Sequence, residues 1–191
     1  MNKKNVLLVL LGLLGCSKTV SLPEYWAIPP FEMTAVSTQE IHPLTNKDLL
    51  GKIWIANFIF TNCSGPCPLL STKMAQLQRT LPLTVQLISF TVDPQRDTPD
   101  VLQAYAKVYE ADPKRWWFVR GTPETIEHLV VGGFKLAMQE DPKAPSGIRV
   151  SHSTRFVLVD AKGMARGFYE SQEPDFFNQL NTGVEMLLTS R

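Results

Sequence analysis

The sequence predicts an α/β sandwich: a central mixed β-sheet flanked by helices, with an N-terminal hairpin. Three observations carry that expectation. "KIWIANFIFT" (Lys52–Thr61) and "TVQLISFTVD" (Thr84–Asp93) are nearly continuous apolar runs rich in β-formers, the pattern of buried strands. Stretches with apolar residues at helical spacing separate the strands. The chain closes on a hairpin and a last helix, and strands alternating with helices build layered sandwiches. With 191 residues and 44% hydrophobic content there is material for one domain with a substantial core. The formal net charge of +1 gives no reason to expect nucleic acid as a partner.

The first residues, "MNKKNVLLVLLGLLGC", stand apart from this fold. Lys3 and Lys4 form a basic start, and Val6 to Leu14 an apolar core too short to span a bilayer. Residues 1–15 are therefore expected to be a secretory signal. The ending "LLGC" resembles a bacterial lipobox, which implies cleavage before Cys16 and lipidation of that residue. Residues 16–29 then read as a tether and 30–191 as the domain, on the extracytoplasmic (periplasmic) side of a bacterial cell envelope. Export implies an oxidising compartment.

"FEMTAV" and "IHPLT" read as the N-terminal hairpin. "PLLSTKMAQLQRTL" has Leu69, Leu70, Met74, Leu77 and Leu81 at helical spacing. "DTPDVLQAYAKVYE" opens a helix with Thr98 as N-cap and Pro99 at the first helical position. "RWWFVRG" reads as a third strand, and Thr122-Pro123 repeats the helix opening for "TPETIEHLVVGGF". "KLAMQED" is a short strand candidate before a loop with Pro142 and Pro145. "STRFVLVDAKGMARGFYES" is a hairpin turning at Ala161-Lys162-Gly163, and "EPDFFNQLNTGVEMLLT" the closing helix. This order of elements resembles a thioredoxin-like fold with additions.

The chemistry is concentrated in "FTNCSGPCPLL" (Phe60–Leu70), which places Cys63 and Cys67 four positions apart before a helix. Pro66 and Pro68 push Gly65 and Cys67 towards extended backbone. Pro68 then starts the helix, with Cys67 as its N-cap and Cys63 in the loop above. A helix N-terminus favours thiolate, the form that attacks disulfides and binds metals. A purely structural disulfide is the plain alternative. Its loop would be so small that the gain falls below the ~3 kcal/mol expected for a 15-residue loop. The spacing also exceeds by one residue the C-x-x-C of thioredoxin-like oxidoreductases.

A metal site needs a third ligand. His128 sits at helical spacing inside a helix, and His42 precedes Pro43 in the hairpin, where a surface position is expected. His152 comes just before a strand whose start faces the cysteine loop in thioredoxin-like folds. Oxidoreductases of that fold place a cis-proline there, yet no proline occurs between Pro145 and Pro174. Asp93 ends the second strand, where its carboxylate could orient a ligand. The competing reading is a turn: Asp93-Pro94 starts it, Arg96 and Asp97 finish it, and Thr98 caps the next helix. The tryptophans, Trp116-Trp117 among them, read as packing residues.

Three segments, "GKIWIANFIFTNCSGPCP", "SFTVDPQRDTP" and "SHSTRFVLVD", together resemble the Sco/SenC family of copper-binding assembly proteins, from about Phe31 to the C-terminus. The resemblance implies metal ligands at Cys63, Cys67 and His152, with copper as Cu(I) or Cu(II). Softness agrees: two thiolates and an imidazole suit Cu(I), with zinc as runner-up. It further implies a membrane-tethered copper chaperone that serves the dinuclear copper site of cytochrome c oxidase. Its partners would be the copper-bearing oxidase subunit, other copper carriers or thiol reductants, and lipid through Cys16. The alternative is a thiol–disulfide oxidoreductase that reduces the acceptor's cysteines, with Cys63 as nucleophile and Cys67 resolving. Family members often carry an acid inside the cysteine loop and another before the histidine. Here "CSGPC" and Ser151 lack both.

Overall fold

The computed structural model describes residues 21–140 and 150–190, and the backbone alone for 138–140 and 150–152. Nine strands and four α-helices are described. Strand β1 (Glu32–Val36) and β2 (Ile41–Thr45) form the expected N-terminal hairpin. Then follow β3 (Trp54–Ile59), α1 (Cys67–Thr80), β4 (Gln86–Thr91), α2 (Pro99–Val108), β5 (Trp116–Arg120) and α3 (Pro123–Glu127). Strands β6 (Met138–Glu140) and β7 (Val150–His152) pair with each other as a separate ribbon. The chain ends with the hairpin β8 (Arg155–Val159) and β9 (Ala165–Glu170), then α4 (Phe176–Thr189).

The main sheet is mixed, in the order β2-β1-β5-β4-β3-β8-β9. Its centre, β5-β4-β3, is parallel, and the two hairpins extend it antiparallel on either side. Every residue of β3 and β4 is buried, as their unbroken apolar runs require. Side chains alternate across a strand, so the sheet presents two faces. Phe134 packs on Trp54, Phe58 and Phe90 on one face. On the other, Tyr105 of α2 meets Phe118 and Phe176 of α4 meets Phe156. Lys73 of α1 lies over the rings of Phe176 and Phe177, joining α1 to α4.

Local chemistry sets the helix starts. The Thr98 hydroxyl accepts from the Val101 N–H at 3.4 Å and the Thr122 hydroxyl from Thr125 N–H at 3.2 Å, each followed by proline. The expected turn at Ala161-Lys162-Gly163 is also present. Gly163 adopts φ +80°, and Asp160 accepts the Lys162 and Met164 amides at 2.9 and 3.0 Å.

Two elements differ from the sequence reading. The third helix stays α-helical only to Glu127 and continues as a π-helix over His128–Gly133. Its end is set by tertiary contacts: Trp26 Nε1 donates to the Gly133 carbonyl at 2.6 Å, and a Cβ on Gly133 would lie 3.0 Å from Pro29 Cδ. The outer part of the stretch read as a tether is also docked on the domain. Tyr25 N–H bonds the Ala165 carbonyl and Ile28 N–H that of Gly163, while Arg166 holds the Leu22 and Pro23 carbonyls. Residues 1–20, including Cys16 and the inner part of that stretch, lie outside the described residues, as does the Pro142–Pro145 loop.

Candidate metal centre

The cysteine loop leaves the end of β3 and returns into α1. Cys63 N–H bonds the Phe60 carbonyl at 3.3 Å, a tight turn that starts the loop. The helix begins one residue earlier than expected, so Cys67 is its first residue rather than its cap. Pro66 itself has helical angles (φ −75°, ψ −23°), and its carbonyl accepts the Leu70 N–H at 3.0 Å. Burial of Cys67 in the core overrides the extended bias of a residue before proline.

Cys63 and Cys67 are not joined by a disulfide. Cys67 is fully buried, while Cys63 is half-buried against the core. The rim above them is open: Asn62, Ser64, Gly65, Pro66, Pro68 and Leu69 are exposed, and no charged residue occurs from Thr61 to Thr72. A Cβ at Gly65 would lie 3.9 Å from Cys63 Sγ, so an acid in the loop here would stand directly beside that sulfur. The sequence reading expected the helix N-terminus to favour thiolate. For Cys67, burial outweighs it: desolvation pushes the thiol well up, and a hydrogen bond with Cys63 adds to this. A metal would have to displace that proton.

His152 closes β7, opposite Met138, three residues before β8 begins. Strand β8 runs antiparallel to β3, with Trp54 opposite Val159 and Ala56 opposite Val157. The chain therefore enters β8 at the end of the sheet where β3 runs out into the cysteine loop. The His152 side chain lies outside what is described. Among residues with described side chains, no group of three His, Cys, Asp or Glu gathers as a metal site. Two thiols held side by side fit a soft ion such as Cu(I) as far as they go.

The other candidates fall elsewhere. His128 is exposed at the start of the π-helix. His42, expected on the surface, is half-buried, with its ring edge-on to Trp117 at 5.3 Å. The Asp93 carboxylate pairs with Arg96 Nη1 at 2.7 Å, and its carbonyl accepts the Arg96 and Asp97 amides, which is the turn reading. Asp97 ends that turn through its backbone, and its side chain in addition reaches the cysteine loop through Thr61. A signal for this existed in hydroxyls at the ends of neighbouring strands, since β4 ends at Thr91 opposite Ile59, two residues before Thr61.

The model of the SCO1/SenC family matches residues 25–181. The SCO1 protein homolog of Bacillus subtilis is 30% identical over 188 residues, 95% of this chain and 94% of that protein. The crystal structure of a SCO1/SenC family lipoprotein from Bacillus anthracis superposes with TM-score 0.76 at 30% identity, covering 85% of this chain and 95% of the other. BsSco, a member of the Sco family of cytochrome c oxidase assembly proteins in which a disulfide switch was identified, gives TM-score 0.75 at 29% identity over 91% and 100%. Yeast Sco1 with copper bound shares the fold (TM-score 0.61, 24% identity, 82% and 88% covered). The mixed sheet with its flanking helices is thus the thioredoxin-like sandwich of these proteins, and the chain belongs to the SCO1/SenC family.

Proposed function

We propose that this protein is a copper metallochaperone of cytochrome c oxidase assembly. Cys63, Cys67 and His152 would hold one copper ion as cargo and pass it by ligand exchange to the dinuclear copper site of the oxidase. The observation that carries this reading is the pair of adjacent cysteines at the start of α1, one half-exposed and one buried, under an open rim. The entry of the chain into β8 at the same end of the sheet favours His152 as the third ligand. Membership in the family supplies the copper chemistry.

Cys16 would carry the lipid. Leu22 lies six positions further on, at most about 22 Å of chain. Leu22 is held beside the turn before β9, at the end of the sheet opposite the cysteines. The anchor would therefore point the metal end away from the membrane.

Taking up Cu(I) would release the thiol protons, so affinity should weaken as pH is lowered. The reduced protein should bind one Cu(I) and the Cys63–Cys67 disulfide form essentially none. His152→Ala should lower Cu(I) affinity at least about tenfold. Equal copper uptake by oxidised and reduced protein, or unchanged affinity in His152→Ala, would overturn the ligand assignment.

The asymmetric burial of the two thiols favours one second reading, a thiol–disulfide oxidoreductase. Cys63 thiolate would attack a disulfide of the acceptor's copper site, giving a mixed disulfide. Cys67 would then displace the acceptor thiol, leaving a Cys63–Cys67 disulfide and a reduced acceptor, with two electrons and two protons passed. This path does not need His152, so exchange rates in His152→Ala separate the two readings.

A further inference from the structure

A buried carboxylate ties the base of the cysteine loop to the neighbouring strand β4. Asp97 is wholly buried, and its side chain accepts the Thr61 N–H at 3.2 Å, the Thr61 hydroxyl at 2.5 Å and the Thr91 hydroxyl. Thr61 stands two residues before Cys63, at the base of the loop. Thr91 ends β4, the strand beside β3, and its hydroxyl also accepts the Asp93 N–H at 3.1 Å. The backbone of Asp97 is fixed as well. Its N–H bonds the Asp93 carbonyl at 3.0 Å, and its carbonyl accepts Arg120 Nε at 3.0 Å. Arg120 Nη2 holds the neighbouring Pro94 carbonyl at 2.8 Å. Thr98, the next residue, caps α2.

The two cysteines are positioned by different means. Cys67 is carried by the first turn of α1 and the core beneath it. Cys63 is carried by the loop, whose N-terminal arm is held by the Cys63–Phe60 turn and the Thr61–Asp97 contacts. The position of Thr61 therefore helps set Cys63 relative to Cys67, alongside the hydrogen bond between the two thiols. Asp93, by contrast, spends its carboxylate on the partly exposed Arg96.

We propose that Asp97, and not Asp93, is the positioning residue of the cysteine pair: through Thr61 it fixes Cys63 over Cys67 in the spacing that a shared metal ion or a disulfide needs. The proposal rests on the copper reading for its first readout and is independent of it for its second. A preorganised pair binds more tightly because the loop need not be ordered at the moment of binding.

The test uses the reduced domain and four variants: Asp97→Ala, Asp93→Ala, Thr61→Val and Thr61→Ser. Cu(I) affinity is measured by competition with bicinchoninate. The equilibrium between dithiol and Cys63–Cys67 disulfide is measured in dithiothreitol buffers, where dithiothreitol supplies or accepts the two electrons and two protons. Asp97→Ala should lower Cu(I) affinity about tenfold, the low end for partners beyond the ligands. It should also shift the dithiothreitol equilibrium several-fold. Thr61→Val, which removes one hydroxyl on a half-exposed residue, should give a smaller shift of the same sign, and Thr61→Ser should restore it. Asp93→Ala should stay within about twofold on both readouts. If Asp97→Ala does not fold, the Thr61 pair decides alone: a Val effect that Ser does not rescue overturns the proposal. So does a folded Asp97→Ala with both values unchanged, or an equal effect from Asp93→Ala. If the parent protein binds no Cu(I), the copper reading fails, and the dithiothreitol equilibrium still decides the role of Asp97.

Discussion

Two carboxylates are buried at opposite ends of β3, and they are satisfied differently. At the end where β3 begins, Asp160 accepts Arg166 Nη1 at 2.7 Å, and Arg166 also donates to the Pro23 and Leu22 carbonyls at 2.8 and 2.6 Å. At the end where β3 leaves for the cysteines, the donors to Asp97 among the described residues are uncharged: two threonine hydroxyls and an amide. Arg120 is close by, yet it bonds the Asp97 carbonyl and not its carboxylate. The first arrangement is a compensated ion pair that also fastens the segment at Leu22 and Pro23. The second leaves a carboxylate without a cation, so burial pushes its pKa up while the threonines oppose this. A carboxylate kept at that cost fixes direction, since each oxygen is aimed at a particular hydroxyl.

The largest effect should come from breaking the compensated end. Arg166→Met removes the guanidinium and leaves Asp160 buried without its charge partner. Side chains only 11% and 8% exposed make solvent screening small. Loss of one partner of such a pair costs about 3–5 kcal/mol. Urea denaturation should show this, and adding Asp160→Asn should recover part of it. Cu(I) affinity should not change, because the site lies at the other end of the sheet. A copper defect in Arg166→Met would show that the two ends are coupled.

The uncompensated end should respond less in size but with a characteristic pH dependence. Asp97→Ala leaves the Thr61 and Thr91 donors unpaired and should cost about 1–3 kcal/mol. The folded pKa of Asp97 is raised above its unfolded value. Its contribution is therefore fully present below the unfolded pKa and is lost as pH rises through the folded one. The stability of the parent relative to Asp97→Asn should accordingly fall as pH is raised from about 4, the unfolded carboxylate value, and then level off. Urea titrations of the reduced, metal-free proteins would measure it. A difference that grows with pH would mean that the threonine hydrogen bonds outweigh burial.

What the sequence made legible was local or periodic. Thr98-Pro99 and Thr122-Pro123 declared their helices because capping involves residues three apart. The strands were visible in unbroken apolar runs, and the cysteine pair in its spacing beside prolines. What stayed hidden depends on partners far along the chain. Asp97 meets Thr61 across 36 positions, and only the β3–β4 register brings them together. Residues 22–26 are held by Arg166 and Gly133, more than 100 positions away. The raised pKa of the Cys67 thiol stays hidden for the same reason: a helix N-terminus is written in sequence, and burial is not.

The smallest effect should come from the same pairing of arginine and carboxylate placed in water. Arg155 and Glu170 face each other across β8 and β9, on the same hairpin as Asp160 and Arg166. Their side chains are 48% and 43% exposed, so water solvates both charges before and after the contact forms. Cross-strand and surface pairs of this kind contribute roughly 0.2–1 kcal/mol. Glu170→Gln should therefore lower stability by about 0.5 kcal/mol or less, and by less still at 1 M salt, where the Debye length is about 3 Å. Paired urea titrations at low and high salt would resolve the difference. A loss above about 2 kcal/mol that persists at high salt would mean that burial is not what separates the two pairs. The stabilisation at Arg166 would then have to come from its hold on the Leu22 and Pro23 carbonyls, and the contrast between the ends of the sheet would rest on geometry alone.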